Sequence, residues 1–342
     1  MSRFSSALRA HGANPEKLYA ALNIPMPDDV IDFSTNASVL PWTPPEIDLP
    51  RLVSRYPDDE CLELRHLIAG REGVSTGNVL FANGSNEALY LLASCLSGRR
   101  AAVLQPAYSE YARALNACGV EAVDIFDLND AGRFDAVFLS NPCNPTGACI
   151  SSLPHLAREN PDNIIVVDEA YADFLLSGER ERFDLEGCPN VLLLRSLTKF
   201  YHLSGARVGY VLASEGWIGR LKARQPTWSV NAVAQALSLA FLRDGDFARR
   251  SLEFYRTETP RLVRAVEEAG FRVRPSRVHF FLMDVRDDER LVTGLLWRGL
   301  VVRHTRNFRG LDGRCVRVAT RLRAENDRLV AALGELRKEG VF

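Results

Sequence analysis

The chain has 342 residues, of which 46% are hydrophobic and 25% charged, with a formal net charge of -1 at pH 7. This length exceeds one small domain and supplies a sizeable core. The balanced charge gives no basis for nucleic acid or an anionic membrane as the main partner. The seven cysteines, Cys61, Cys95, Cys118, Cys143, Cys149, Cys188 and Cys315, form no C-x-x-C pair and no metal-ligand spacing. They fit unpaired thiols in a reducing cytoplasm better than a disulfide scaffold. Met1-Ser2-Arg3-Phe4 lacks an apolar signal core, and no apolar run is long enough to span a bilayer, so the expected location is the cytoplasm.

Residues 1–30 read as an N-terminal arm carrying His11-Gly12. Pro41, Pro44, Pro45 and Pro50 make the next stretch extended and helix-poor. From there helices and short apolar runs alternate. A helix over Cys61 to Arg71 precedes a strand over Val79 to Ala82. A helix over Asn86 to Leu96, a strand over Ala101 to Leu104, a helix over Ser109 to Cys118 and a strand over Ala136 to Ser140 follow. Asn163 to Val167, Val191 to Leu194 and Val208 to Ala213 are further strand-like runs. Short apolar runs separated by helices argue for an α/β fold, with a mostly parallel sheet covered on both faces.

Beyond about residue 215 the rhythm changes. Helices are expected over Asn231 to Leu242 and over Asp246 to Ala269, the second interrupted by Pro260. Strands are expected over Phe280 to Asp284, Leu300 to His304 and Cys315 to Ala319, and a closing amphipathic helix over Ala324 to Lys338. The expected organisation is therefore the arm, a large domain over 31–220 and a smaller α+β domain over 221–342.

Polar residues gather where the predicted strands end, which is where open parallel sheets bind ligands. Gly84-Ser85-Asn86 opens a helix and offers free backbone N–H groups to an anion, although a plain helix cap gives the same pattern. Asn141-Pro142-Cys143-Asn144-Pro145-Thr146-Gly147 carries two Asn-Pro steps, more than a simple turn requires, and presents Asn144. Asp168, in Asp168-Glu169-Ala170-Tyr171, ends a buried strand and needs a partner, either a protonated ring nitrogen or a neighbouring arginine. Lys199, in Ser196-Leu197-Thr198-Lys199, sits between two strands rather than on an evident surface, and Arg207 follows with a fork of donors suited to phosphate.

Together these motifs resemble the class I/II aminotransferase superfamily, fold type I among pyridoxal-phosphate (PLP) enzymes, over nearly the whole chain. The resemblance implies a seven-stranded, mostly parallel sheet with PLP held as a Schiff base on Lys199. It implies that Asp168 pairs with the ring nitrogen, that Asn144 and Tyr171 contact the ring hydroxyl, and that Tyr108 stacks on the ring. Gly84, Ser85, Asn86, Ser196 and Arg207 would hold the phosphate. Tyr56, in Arg55-Tyr56-Pro57-Asp58, looks like the tyrosine that reaches the partner subunit's cofactor, which implies a homodimer with shared sites. Arg317, in Cys315-Val316-Arg317-Val318-Ala319, would bind the substrate carboxylate.

Two branches compete within that superfamily, the L-threonine-O-3-phosphate decarboxylases of cobamide synthesis and the histidinol-phosphate aminotransferases. His11-Gly12-Ala13-Asn14, Asp32-Phe33-Ser34-Thr35-Asn36, Trp228-Ser229-Val230-Asn231 and Asn307-Phe308-Arg309-Gly310-Leu311-Asp312-Gly313 resemble the decarboxylases. Asn36-Ala37-Ser38-Val39-Leu40-Pro41-Trp42 departs from both branches, and Tyr171 leans toward transamination. A phosphorylated L-amino acid is the expected substrate, with Asn36 and His11 on the substrate side and Arg309, Arg321 and Arg323 as further candidate phosphate contacts. No G-x-G-x-x-G supports a Rossmann nucleotide site. A non-catalytic PLP-binding protein is the remaining alternative, and the intact Lys199 argues against it.

Overall fold

The computed structural model describes residues 12–43, 45–151, 153–178, 180 and 182–340. Its main sheet has seven strands in the order β2-β8-β7-β6-β5-β3-β4. They are β2 (Val79–Ala82), β3 (Arg100–Leu104), β4 (Glu121–Ile125), β5 (Ala136–Ser140), β6 (Ile164–Asp168), β7 (Val191–Ser196) and β8 (Gly209–Leu212). Strands β4, β3, β5, β6 and β7 are mutually parallel, and β8 runs against both β7 and β2.

Period-two alternation divides the central strands between two cores. Phe81, Val137, Leu139, Val167 and Leu193 pack on one face, and Leu80, Phe138, Val166, Leu192 and Leu194 on the other. Burial on both faces explains why these strands read as continuous apolar runs. β4 was not expected, because Glu121 and Asp124 interrupt its apolar pattern. It lies at the sheet's edge, where charged side chains meet water and discourage pairing with another chain.

A second layer holds the antiparallel sheet β11-β12-β9, formed by β9 (Phe280–Asp284), β11 (Arg303–His304) and β12 (Cys315–Ala319). A separate parallel pair joins β1 (Ile31–Asp32) to β10 (Leu300–Val301). The expected single strand over Leu300 to His304 is thus two short strands serving different sheets. Tyr19, Phe33, Leu262, Val266, Phe281 and Leu333 share the core of this layer.

The helix Gly245–Glu268 runs unbroken through Pro260, contrary to the expected interruption. Proline leaves the carbonyl four residues earlier, on Arg256, without its helical donor. Both Pro260 and Arg256 lie on the exposed side, where water meets that carbonyl. Among the described residues no helix is long and apolar enough to cross a membrane.

Candidate active site

The C-terminal ends of β2, β3, β5, β6 and β7 open onto one edge of the sheet, and β8 begins there. That edge collects the polar loops. At its floor, β6 ends on Asp168. The Tyr111 hydroxyl donates to Asp168 Oδ2 at 2.6 Å, and the Ala170 N–H donates to Oδ1 at 3.0 Å. Burial raises the Asp168 carboxyl pKa, while Tyr111, Ala170 and the Lys199 charge oppose that shift. Among the described residues the hydrogen-bond partners of Asp168 are thus a tyrosine hydroxyl and a backbone N–H rather than the arginine considered as the alternative. The next residue, Glu169, points to the other face and pairs with Arg195 at 2.6 Å, both deeply buried. Burial, opposed chiefly by Arg195, pushes the Glu169 carboxyl up to about 7.

Ser196 ends β7 and caps the short helix Leu197–Phe200, its Oγ lying 2.6 Å from Thr198 Oγ1. Lys199 projects from that helix beside the cleft, and its own carbonyl accepts from Ser38 N at 2.8 Å. On the neighbouring side the helix Gly84–Cys95 begins directly after β2. Gly84 has φ +78°, and a Cβ there would lie 2.7 Å from Arg207 Nη2. At Gly209 a Cβ would stand 2.5 Å from Ser85 N and 2.7 Å from Arg195 O, both rigid backbone atoms. These two glycines let β8, Arg207 and the helix start converge. The result is a cradle of N–H groups lacking intrahelical acceptors beside a guanidinium, which suits a phosphate. The buried Asn86 Oδ1 has no hydrogen-bond partner there.

A connected cleft is lined by Asn36, Tyr108, Asn144, Tyr171, Lys199 and Arg317. Six residues expected from widely separated motifs thus meet in one cavity. Tyr108 stands edge-on to Tyr111, with ring centroids 5.8 Å apart. Asn36 Nδ2 donates to the Tyr171 hydroxyl at 3.1 Å. Arg317 donates through Nη1 to Asn144 Oδ1 and through Nη2 to the Ser34 carbonyl at 2.6 Å. Its guanidinium lies 5.4 Å from the Phe280 ring centroid, and its Nε has no hydrogen-bond partner.

Not every candidate joins this cluster. Tyr56 is 80% exposed and stacks on Trp228 at 4.5 Å, away from the cleft. Arg309 pairs with Asp124, Arg321 with Glu325 at 3.1 Å and with the Asp32 carbonyl, and Arg323 is exposed. None of these three arginines lines the cavity, because partners nearer their own strands and loops hold the first two and the third faces water. His11 lies outside the described residues.

A family profile for aminotransferase class I and II matches residues 29–333. The chain belongs to the class I and II aminotransferase family. Among its relatives, the threonine-phosphate decarboxylase of Salmonella typhimurium is 33% identical over 97% of this chain and 97% of its own length. The histidinol-phosphate aminotransferase of Desulfitobacterium hafniense is 31% identical over 94% of this chain and 95% of that one. The crystal structure of histidinol-phosphate aminotransferase from Sinorhizobium meliloti, in complex with pyridoxal-5'-phosphate, superposes with a TM-score of 0.82 at 22% identity. It covers 99% of this chain and 98% of that one. The cofactor of this aminotransferase-family enzyme is PLP, and its substrate is amino-acid-like. The donor set suits that cofactor: a lysine amine, a carboxylate held at a strand end, and a glycine-lined anion cradle that side chains would fill.

Three residues that the sequence reading passed over also belong to this aminotransferase-family site. Tyr111 holds Asp168. Its signal was a tyrosine three residues after Tyr108, in the first turn of the helix Glu110–Ala117. Arg303 lines the cavity opposite Arg317, and His279 lies behind Asn36. His279 is a single polar residue inside an apolar run, whereas Arg303 begins the polar stretch Arg303-His304-Thr305 that ends one; neither pattern says what the buried group faces.

Proposed function

We propose that the enzyme acts on a phosphorylated L-amino acid, decarboxylating a substrate of the O-phospho-L-threonine type. One observation carries this reading. Arg303 and Arg317 are direct cross-strand partners in β11 and β12, and both are almost fully buried in the cavity wall. Like charges opposite each other on a sheet destabilise it, more so out of water. Burial and the adjacent Arg317 charge push Arg303 below the usual arginine range. A guanidinium resists deprotonation, so the pair instead favours anions placed between and above it. A substrate carrying both a carboxylate and a phosphate supplies two. Phe308 and Phe280 back the guanidiniums, each 5.4 Å away. The match to a threonine-phosphate decarboxylase along 97% of the chain points the same way.

The positions of the other residues and the family resemblance support the following roles. Lys199 is the attachment point for PLP, and its free amine moves protons at the substrate Cα. Asp168 would keep the ring nitrogen protonated, with Tyr111 fixing the carboxylate. Ser85, Asn86, Ser196 and Arg207 would hold the cofactor phosphate, Tyr108 would cover the ring, and Asn144 and Tyr171 would contact its hydroxyl. When bound, PLP would supply the electron sink for the bond broken at the substrate Cα. Arg317 and Asn36, by orienting the carboxylate, select that bond.

Two further parts belong to the proposal. The chain divides into a large domain near 31–220 and a smaller one near 221–342, with β1 contributing to the second layer. It works as a homodimer in which Tyr56 completes the partner's site. A second reading, glutamate-dependent transamination, gains support from Tyr171 and from the same arginine pair, which also suits a dicarboxylate.

The test is incubation of the PLP-loaded enzyme with O-phospho-L-threonine. Release of CO2 without a keto acid supports decarboxylation, whereas amino transfer from glutamate to a keto substrate supports the second reading. Arg303→Ala should raise KM for the phosphorylated substrate by about 10- to 100-fold. An unchanged KM would sink the two-anion argument.

A further inference from the structure

His279 is completely buried in the strand run leading into β9 and does not itself line the cavity, although its ring lies 6.3 Å from that of Tyr171. Its Nε2 lies 3.1 Å from the Asn36 carbonyl oxygen. A carbonyl only accepts, so Nε2 carries the proton and Nδ1 is the bare nitrogen. Nδ1 has no hydrogen-bond partner. Burial, with help from the Arg317 and Lys199 charges, lowers its pKa to about 3, so the ring stays neutral.

The imidazole is also wedged in place. It stacks on Phe174 with centroids 3.6 Å apart and lies 5.0 Å from the Tyr255 ring. Its own carbonyl accepts from Thr320 N at 2.7 Å, just beyond the strand bearing Arg317. Phe280, the next residue, packs edge-on against Tyr171 at 4.9 Å. One residue therefore ties together the Asn36 segment, the Arg317 strand and Tyr171.

The Asn36 segment is anchored on both sides of Asn36. Ser38 N donates to the Lys199 carbonyl at 2.8 Å, and Val39 N donates to the Tyr255 hydroxyl at 2.9 Å. Ahead of Asn36, Arg317 Nη2 and Ala319 N donate to the Ser34 and Phe33 carbonyls, so the His279 bond is the contact made to the carbonyl of Asn36 itself. The Asn36 side chain spends Nδ2 on Tyr171, and its buried Oδ1 has no hydrogen-bond partner. A primary amide can turn end for end within the same volume, so this group can meet a substrate donor or acceptor while Tyr171 takes the other end. Such a contact is useful only if the backbone carrying it does not shift.

We propose that His279 is a positioning residue: its neutral imidazole, donating from Nε2 to the Asn36 carbonyl, holds the Asn36 amide against the substrate and so sets substrate orientation without touching it. This rests on the phosphorylated-amino-acid reading for the substrate, but not for the geometry. His279→Phe keeps the stacked ring and removes the donor. His279→Gln restores a donor.

In PLP-loaded enzyme, His279→Phe should keep the cofactor's visible band and lower kcat/KM for O-phospho-L-threonine about tenfold. His279→Gln should recover most of the loss. In an Asn36→Ala background, His279→Phe should cost less than about twofold, because the amide it serves is gone. Full additivity of the two substitutions, or a change under about twofold in the single variant, overturns the proposal.

Two readouts do not need turnover. Two-bond proton–nitrogen correlation should show Nε2 protonated and Nδ1 bare from about pH 5 to about pH 8. Hydrogen exchange should quicken in residues 33–39 of His279→Phe and leave 197–200 unchanged. A protonated Nδ1, or unaltered exchange over 33–39, also overturns it. If the wild type fails to turn over O-phospho-L-threonine while these two readouts hold, the substrate reading falls and the positioning role stands. If His279→Phe does not fold, His279→Gln and the wild-type spectrum decide the matter.

Discussion

Asp168 shows how much one neighbour can matter. A carboxylate at the end of a buried strand is expensive to keep ionised, and burial already raises its pKa. The Tyr111 hydroxyl, 2.6 Å from Oδ2, favours the ionised form that a protonated ring nitrogen needs. Removing it should raise the Asp168 pKa further, because a bond made to the charged form is lost. In Tyr111→Phe holoenzyme we therefore expect the acidic limb of the pH–rate profile to move to higher pH. The maximal rate should fall by roughly 10- to 100-fold, the value of a hydrogen bond to a charged group. Asp168→Asn, which cannot hold the ring proton by charge at any pH, should lose roughly 100-fold or more and show no such limb. A Tyr111→Phe profile that coincides with the wild type would remove Tyr111 from the site's electrostatics.

Between elements, a chain of polar contacts joins the loop after β11 to the loop that carries Tyr108. Arg309 pairs with Asp124 at the end of β4, and Gly310 packs against Phe126. Gln105 Nε2 donates to the other Asp124 oxygen at 2.6 Å, while Gln105 Oε1 accepts from Ala107 N at 3.0 Å. The Arg309 side chain is 72% exposed, so its pair contributes at most about 1 kcal/mol. The half-buried Gln105–Asp124 contact is the stronger link. Asp124→Ala should accordingly weaken cofactor binding by about tenfold through the Tyr108 loop, and Arg309→Ala by no more than about threefold. Titration of each apoenzyme with PLP measures both; equal effects would show that the two links are not ranked in this way. The same elements show what sequence can and cannot disclose. The loops of Gly84, Asn144, Asp168 and Lys199 were legible because polar residues abruptly end buried apolar strands. β4 was not, since an edge strand's charges erase its pattern. Nor was the Arg303–Arg317 pair, which exists only through the antiparallel register of two strands separated by a loop. Arg309 had the right residue type for phosphate, but its neighbour in space is a carboxylate that no local pattern announces.

On the scale of the whole molecule, the surface around Tyr56 calls for explanation. Its neighbour Trp228 is a large apolar side chain left about half exposed. Isolated cases are ordinary, but Tyr56 stacks on Trp228, and Trp228 holds a left-handed backbone at φ +57° to do so. Ordering two large rings against each other in water gives little within one chain, whereas a second copy covering them would bury both. The proposed dimer makes a quantitative prediction about mixtures. Tyr56→Ala damages the partner's site, and Lys199→Ala disables its own. If each Tyr56 serves the other subunit, a hybrid of the two variants contains one site with both residues intact and one with neither. Random mixing of equal amounts makes half the dimers hybrid, so activity should recover to about a quarter of wild type. If Tyr56 acts within its own chain, every site in the mixture lacks one residue and mixing restores nothing beyond the average of the parents. Sedimentation of the unmixed protein as a monomer at assay concentration would dispose of the shared site before any mixing is done.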